Sequence, residues 1–82
     1  MNKYTISKTS NIREAIKKID ENGEGLIFVV NNENKVIGVL TDGDFRRAIL
    51  NGVSLSEICD NIANHDFKFI ESAFFSAKPV IN

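Results

Sequence analysis

The chain has 82 residues, ten of them basic and eleven acidic, for a formal net charge of −1 at pH 7. That length supports one small domain rather than two, and a domain so small covers only about 60% of the surface its unfolded chain exposes, so self-association is expected. The charges alternate in sign, with no basic run beyond the pairs Lys17-Lys18 and Arg46-Arg47, which argues against a nucleic-acid or anionic-membrane surface.

The segment Met1 to Lys8 lacks the apolar stretch and cleavage site of a secretory signal. With a single cysteine, Cys59, in the chain, a cytoplasmic location is expected. Within that segment Tyr4-Thr5-Ile6-Ser7 is β-prone and expected beside a hairpin formed further on. Ile12, Ala15, Ile16 and Ile19 then recur at helical spacing, with Arg13, Glu14, Lys17 and Lys18 opposite them. Ser10 or Asn11 can cap this first helix, Glu14 standing three residues after Asn11 as a capping box requires. Asn22-Gly23 supplies a stop.

Leu26 to Val30 is the longest uninterrupted apolar run. It is far shorter than the roughly 20 residues that cross a bilayer and reads as a buried strand. Asn31-Asn32-Glu33-Asn34 favours a turn, and Lys35 to Leu40 is β-prone, so the two runs are expected to pair as an antiparallel hairpin. Their near-continuous hydrophobicity predicts a sheet covered on both faces. Phe45, Ala48 and Ile49 mark a second helix that starts after Thr41 or Asp42 and ends near Asn51-Gly52. Ser54 and Glu57 form an S-x-x-E box before Leu55, Ile58, Cys59 and Ile62, which predicts a short third helix. Asp66-Phe67-Lys68-Phe69-Ile70 alternates as a strand does. Ser72 to Asn82, with the only proline at Pro79, carries no clear pattern, and a second unit starting near Asp66 and left unfinished is one reading.

The segment Lys35-Val36-Ile37-Gly38-Val39-Leu40-Thr41-Asp42-Gly43-Asp44-Phe45-Arg46-Arg47-Ala48-Ile49 resembles the signature stretch of CBS domains: a strand ending in glycine, two apolar residues, Thr or Ser, two further residues and Asp, followed by an apolar helix. Tyr4 to Gly52 covers one β-α-β-β-α repeat of that kind. The resemblance implies an α+β fold, a small sheet packed on two helices and pairing with a second copy. It divides the chain into a CBS domain at 1–62 and a C-terminal extension, or the start of an incomplete second repeat, at 63–82. The stretch from Thr41 to Arg47 is also similar to CBS segments attached to bacterial sugar-phosphate isomerases and to sugar-nucleotide transferases of surface-polysaccharide synthesis. The function implied by the resemblance is that of a regulatory module, not an enzyme, that binds an adenosine nucleotide (AMP, ADP or ATP) between paired copies and controls a parent or partner enzyme. Such a module requires no cofactor, and it forms a homodimer through CBS pairing because one chain holds one copy.

The same resemblance assigns Thr41 and Asp44 to the ribose and phosphate ends of the ligand. A carboxylate can accept both hydroxyl hydrogens of a ribose diol, and the threonine hydroxyl can donate to an oxygen. The two residues equally satisfy the spacing of a helix capping box, and spacing alone leaves both roles open. Arg47, with Arg46 beside it, can reach a phosphate or stay an exposed helix charge. Gly43 and Gly38 suit a close approach of ligand or backbone, a relaxed turn or a bulge. Asp42 would repel a phosphate and falls outside the core site. Ile6, Ser7 and Phe28 are the residues that would grip the base, although Phe28 in a buried strand suits a core and Ser7 suits a turn hydrogen bond.

Cys59, His65 and Asp66 do not make a zinc spacing. The chain lacks a matched nucleophile, base and electrophile, and a buried thiol is the plain reading of Cys59. Phe67, Phe69, Phe74 and Phe75 concentrate aromatic surface near the C-terminus, for which burial in a partner chain's groove is expected. A ligand-free structural dimerisation module is the alternative function.

Overall fold

The computed structural model describes residues 2–76. Its elements follow as β1 (Thr5–Ser7), α1 (Ile12–Asn22), β2 (Leu26–Val30), β3 (Val36–Thr41), α2 (Asp42–Leu50), a 3-10 turn (Cys59–Ile62) and α3 (Phe67–Ser76). The sheet order is β1-β2-β3. β1 runs parallel to β2, with Ser7 opposite Val30. β3 runs antiparallel to β2, with Thr41 opposite Leu26 and an irregularity between Val29 and Val30.

The termini of α1 are chemically specified. Of the two candidate caps Asn11 serves: the Glu14 N–H donates to Asn11 Oδ1 at 2.8 Å, and the Asn11 N–H donates to Glu14 Oε1 at 3.0 Å. Each bond satisfies an amide that the first helical turn leaves without a partner. Gly23 closes the helix in the left-handed region at φ 69. Asn22, a buried polar side chain, donates to the carbonyls of Lys3 and Leu26. It thereby ties the helix end to the segments leading into β1 and β2.

Both faces of the sheet are covered, which explains why β2 reads as a continuous apolar run. Ile6, Ile27, Val29 and Leu40 face α1 and α2 and pack on Ile12, Ala15, Ile19 and Phe45, with Cys59 in the same core. Phe28 and Val39 face the other way and meet Ile70, with Leu26, Val36, Ala73 and Phe74 around them. The rings of Phe28 and Phe74 stack with centroids 4.3 Å apart, an arrangement worth about 1 kcal/mol beyond area burial. The fold is α+β, with three strands and three α-helices among the described residues.

Two expectations for the C-terminal third are corrected. The helix predicted after Ser54 is absent; only the 3-10 turn Cys59–Ile62 forms. The carbonyls of Leu55 and Glu57 instead accept from the Arg13 and Ile12 amides at 3.0 and 2.9 Å. Those are first-turn donors of α1 that need an outside acceptor, and serving them holds the segment extended across the helix start. The strand predicted over Asp66 to Ile70 is the beginning of α3. The position beside β3 is already taken by Asn64, which exchanges two 3.0 Å backbone hydrogen bonds with Val39. Asp66 then turns the chain, its Oδ1 accepting from the Phe69 amide at 3.1 Å. Ile70, Ala73 and Phe74, spaced three and four apart, lie on the outer sheet face. Of the unpatterned stretch from Ser72, the part up to Ser76 continues this helix; Pro79 and its neighbours lie outside the described residues.

Candidate ligand-binding site

Thr41 leaves β3 in an extended conformation and caps α2. Its amide donates to Asp44 Oδ2 at 2.9 Å, its hydroxyl donates to the same oxygen at 3.0 Å, and the Asp44 amide donates back to Thr41 Oγ1 at 3.4 Å. The capping box is therefore formed. Arg47, one turn on, donates from its guanidinium to Asp44 Oδ1 at 2.6 Å. A carboxylate oxygen accepts two hydrogen bonds, so Oδ2 is filled and Oδ1 retains one acceptor position. The Asp44 side chain is 18% exposed and that of Arg47 68%. An ion pair this open contributes only a few tenths of a kcal/mol, and the guanidinium can swing aside at little cost.

Gly43 lies under the tip of the Arg47 side chain. A Cβ there would lie 3.3 Å from the Arg47 guanidinium, so the missing side chain gives Arg47 room to fold back over the helix start. Gly38 is explained by backbone approach: a Cβ would lie 3.1 Å from His65, 3.3 Å from Ala63 and 3.3 Å from the Asn64 carbonyl. Asp42 donates its amide to the Gly25 carbonyl at 3.1 Å. Its side chain lines a crevice between α1 and α2 beside Asp20 and Ile49.

The remaining site residues are not brought to this cluster. Ser7 and Thr41 pair with opposite ends of β2. Four residues of strand and two strand spacings put them roughly 16 Å apart. Ile6 is buried in the core under α1. Ser7 makes the turn contact: its Oγ accepts from the Thr9 amide at 3.2 Å and shares a hydrogen bond with Thr9 Oγ1. Both residues line a groove of about 400 Å³ whose far wall is Ser10, Glu14, Lys17 and Lys18 of the α1 region. Phe28 belongs to neither group, since it is buried on the outer face against Phe74.

The groove wall is not singled out by any sequence motif, although Glu14, Lys17 and Lys18 stand three and four apart and so share one face of α1, with Ser10 just before its cap. Lys18 donates to the Thr5 and Asn2 carbonyls at 2.8 and 3.0 Å, satisfying acceptors at the open edge of β1. Cys59 is buried, and burial foremost, with the neighbouring Asp60 charge, pushes its thiol up to about 11. A thiol so protonated is a poor nucleophile at neutral pH. His65 Nε2 lies 2.7 Å from Asp60 Oδ1. No described helix is long and apolar enough to cross a membrane.

A β-α-β-β-α unit with a Thr-x-x-Asp box at its last helix is the class of module this geometry defines. A family model described as CBS domain matches residues 1–51, and the chain belongs to that family. Among solved structures it is similar to a CBS domain protein from Pyrobaculum aerophilum complexed with AMP, at 20% identity and a TM-score of 0.71 over 92% of this chain and 64% of that one. It is likewise similar to a CBS-domain-containing protein from Agrobacterium tumefaciens, at 15% identity and a TM-score of 0.72 over 90% of this chain and 63% of that one. Those likenesses show a shared fold. Two curated relatives from Helicobacter pylori, each described as an uncharacterized protein, are 42% identical over 50 residues and 32% identical over 75. These alignments cover 61% and 88% of this chain but only 15% and 23% of the relatives' lengths.

Proposed function

We propose that this chain is a cytoplasmic, non-catalytic regulatory module that binds an adenosine nucleotide between paired copies and controls an enzyme domain attached to it or associated with it. One observation carries the reading. Within one turn at the start of α2 the chain gathers a carboxylate with an open acceptor position, held in place by the Thr41 hydroxyl, and a displaceable guanidinium, at a helix start carrying partial positive charge. These groups match a ribose hydroxyl and a phosphate. Ile6 and Ser7 lie at the far end of the sheet, so a ligand touching both groups spans two copies. The structure of the Pyrobaculum aerophilum protein with AMP supports AMP as the first ligand to try, followed by ADP and ATP.

The relatives are several times longer than their matched segments, which supports an enzyme domain elsewhere in the parent polypeptide. The form of the Thr41 to Arg47 stretch favours sugar-nucleotide or surface-polysaccharide metabolism for that enzyme. Residues 1–62 are read as the CBS unit, and 63–82 as an extension or the opening of a second repeat. Phe28 leaves the list of base-gripping residues, because its ring is already stacked.

The formed capping box favours one competing reading, a ligand-free dimerisation module in which Thr41 and Asp44 serve only the helix. Melting temperature separates the two. For a binding module, AMP at ten times its dissociation constant adds about 1.4 kcal/mol and several degrees. Asp44→Ala cuts that increment to about 0.4 kcal/mol or less. Under the competing reading AMP shifts neither protein, and Asp44→Ala only lowers the baseline.

A further inference from the structure

Asparagine followed by glycine occurs twice in this chain, at Asn22-Gly23 and at Asn51-Gly52. With no Cβ on the second residue, its backbone nitrogen can close on the asparagine side-chain carbonyl, an approach that a larger residue obstructs. Both pairs stand at the end of a helix, α1 and α2 respectively, and both glycines take positive φ, 69 and 82. The glycine amides are equally engaged, Gly23 donating to the Ile19 carbonyl and Gly52 to the Ile49 carbonyl, each at 3.0 Å. The asparagine side chains are what differ. Asn22 is 8% exposed. Its side-chain nitrogen donates to the Lys3 and Leu26 carbonyls at 3.3 and 3.2 Å, and its Oδ1 accepts from the Glu24 amide at 2.8 Å. Cγ is held through both of its substituents and cannot turn onto Gly23 without breaking these bonds. Asn51 is exposed. Its backbone amide donates to the Arg47 and Ala48 carbonyls, but its side chain has no hydrogen-bond partner among the described residues. A Cβ at Gly52 would meet nothing within 4 Å, so the space around this pair is open, and the last turn of a helix frays at little cost.

We propose that Asn51-Gly52 is a site of spontaneous deamidation, with water as the co-reactant, and that the fold protects Asn22-Gly23 from the same reaction. The Gly52 nitrogen gives up its proton to solvent and bonds to Asn51 Cγ. The bond from Cγ to the side-chain nitrogen breaks, and that nitrogen leaves as ammonia. Water then opens the cyclic imide at one carbonyl or the other, leaving aspartate or isoaspartate. Nothing is oxidised or reduced, and the chain gains one negative charge. That charge appears beside the last carbonyls of α2, the negative end of the helix dipole, where it is unfavourable. Isoaspartate also lengthens the main chain just before Val53, whose amide is anchored on the Ala48 carbonyl at 3.0 Å. The reaction requires neither a nucleotide nor a second copy, so it stands apart from the function proposed above.

Incubation of the full chain at mildly alkaline pH in heavy-oxygen water, followed by proteolysis and fragment mass analysis, tests the proposal. Asn51 is expected to convert about a hundredfold faster than Asn22, because three hydrogen bonds, each worth roughly a factor of five, must open at Asn22. The new acid carries one heavy oxygen, which separates conversion during the incubation from aspartate present beforehand. In concentrated guanidinium chloride, where the fold protects neither site, the two rates converge. Asn51→Ser removes the main acidic species that accumulates on ion exchange. Equal rates at the two sites in the folded chain overturn the proposal, as does an acidic species that forms at full rate in Asn51→Ser. An Asn51 that stays intact in the folded chain while the unfolded chain converts it overturns the site. Rates that remain far apart in denaturant trace the difference to local sequence and overturn the protection of Asn22.

Discussion

Gly38, Gly43 and Asp44 each answer to a neighbour at short range, and the neighbour decides what a substitution does. At Gly38 a Cβ would press on His65, Ala63 and the Asn64 carbonyl, all within 3.3 Å. One of these is backbone already paired with Val39, so it cannot retreat without breaking that bridge. Gly38→Ala is expected to cost about 1–3 kcal/mol, as overpacking typically does, measured by urea denaturation. At Gly43 the neighbour is instead the tip of the flexible Arg47 side chain, and an alanine there pushes it outward. Thr41 and Asp44 were legible in the sequence as a pair because their roles are local: the spacing that makes a capping box also places a carboxylate at a helix start. Gly38 was legible only as a special position. The segment that fills its space is 25 residues further along the chain, and no local rule brings it there.

At the scale of elements, β2, β3, α1 and α2 follow from period, turn chemistry and caps, each contained within a dozen residues. Local rules fail where an element's state is decided by a distant one. The Ser54 box could not form its helix because the Leu55 and Glu57 carbonyls are claimed by α1. The alternating stretch from Asp66 could not become a strand because Asn64 occupies the edge of β3. The two states of that stretch bury different residues. In a strand Phe67 and Phe69 share a face, with Ile70 opposite; in α3 Ile70 is buried and Phe67 exposed. Ile70→Ala is therefore expected to lose about 2–4 kcal/mol, whereas Phe67→Ala stays within about 0.5 kcal/mol at concentrations where the chain is monomeric. The reverse order in chemical denaturation would return these residues to a strand.

For the molecule as a whole, the residues proposed to contact the ligand fall into two separated groups on one sheet. Thr41, Asp44 and Arg47 stand at one end, Ile6 and Ser7 at the other. The division follows from register: β1 parallel and β3 antiparallel to the same central strand carry their C-terminal ends to opposite poles. On the proposed reading one chain offers two half-sites, and pairing is the route by which they would join. The most direct measurement is a calorimetric titration of AMP into the dimer. Saturable binding is expected, with affinity falling about tenfold or more in Asp44→Ala, the loss that accompanies removal of a hydrogen bond to a charged group. Absence of binding to a verified dimer, or equal affinity for wild type and Asp44→Ala, would contradict the account.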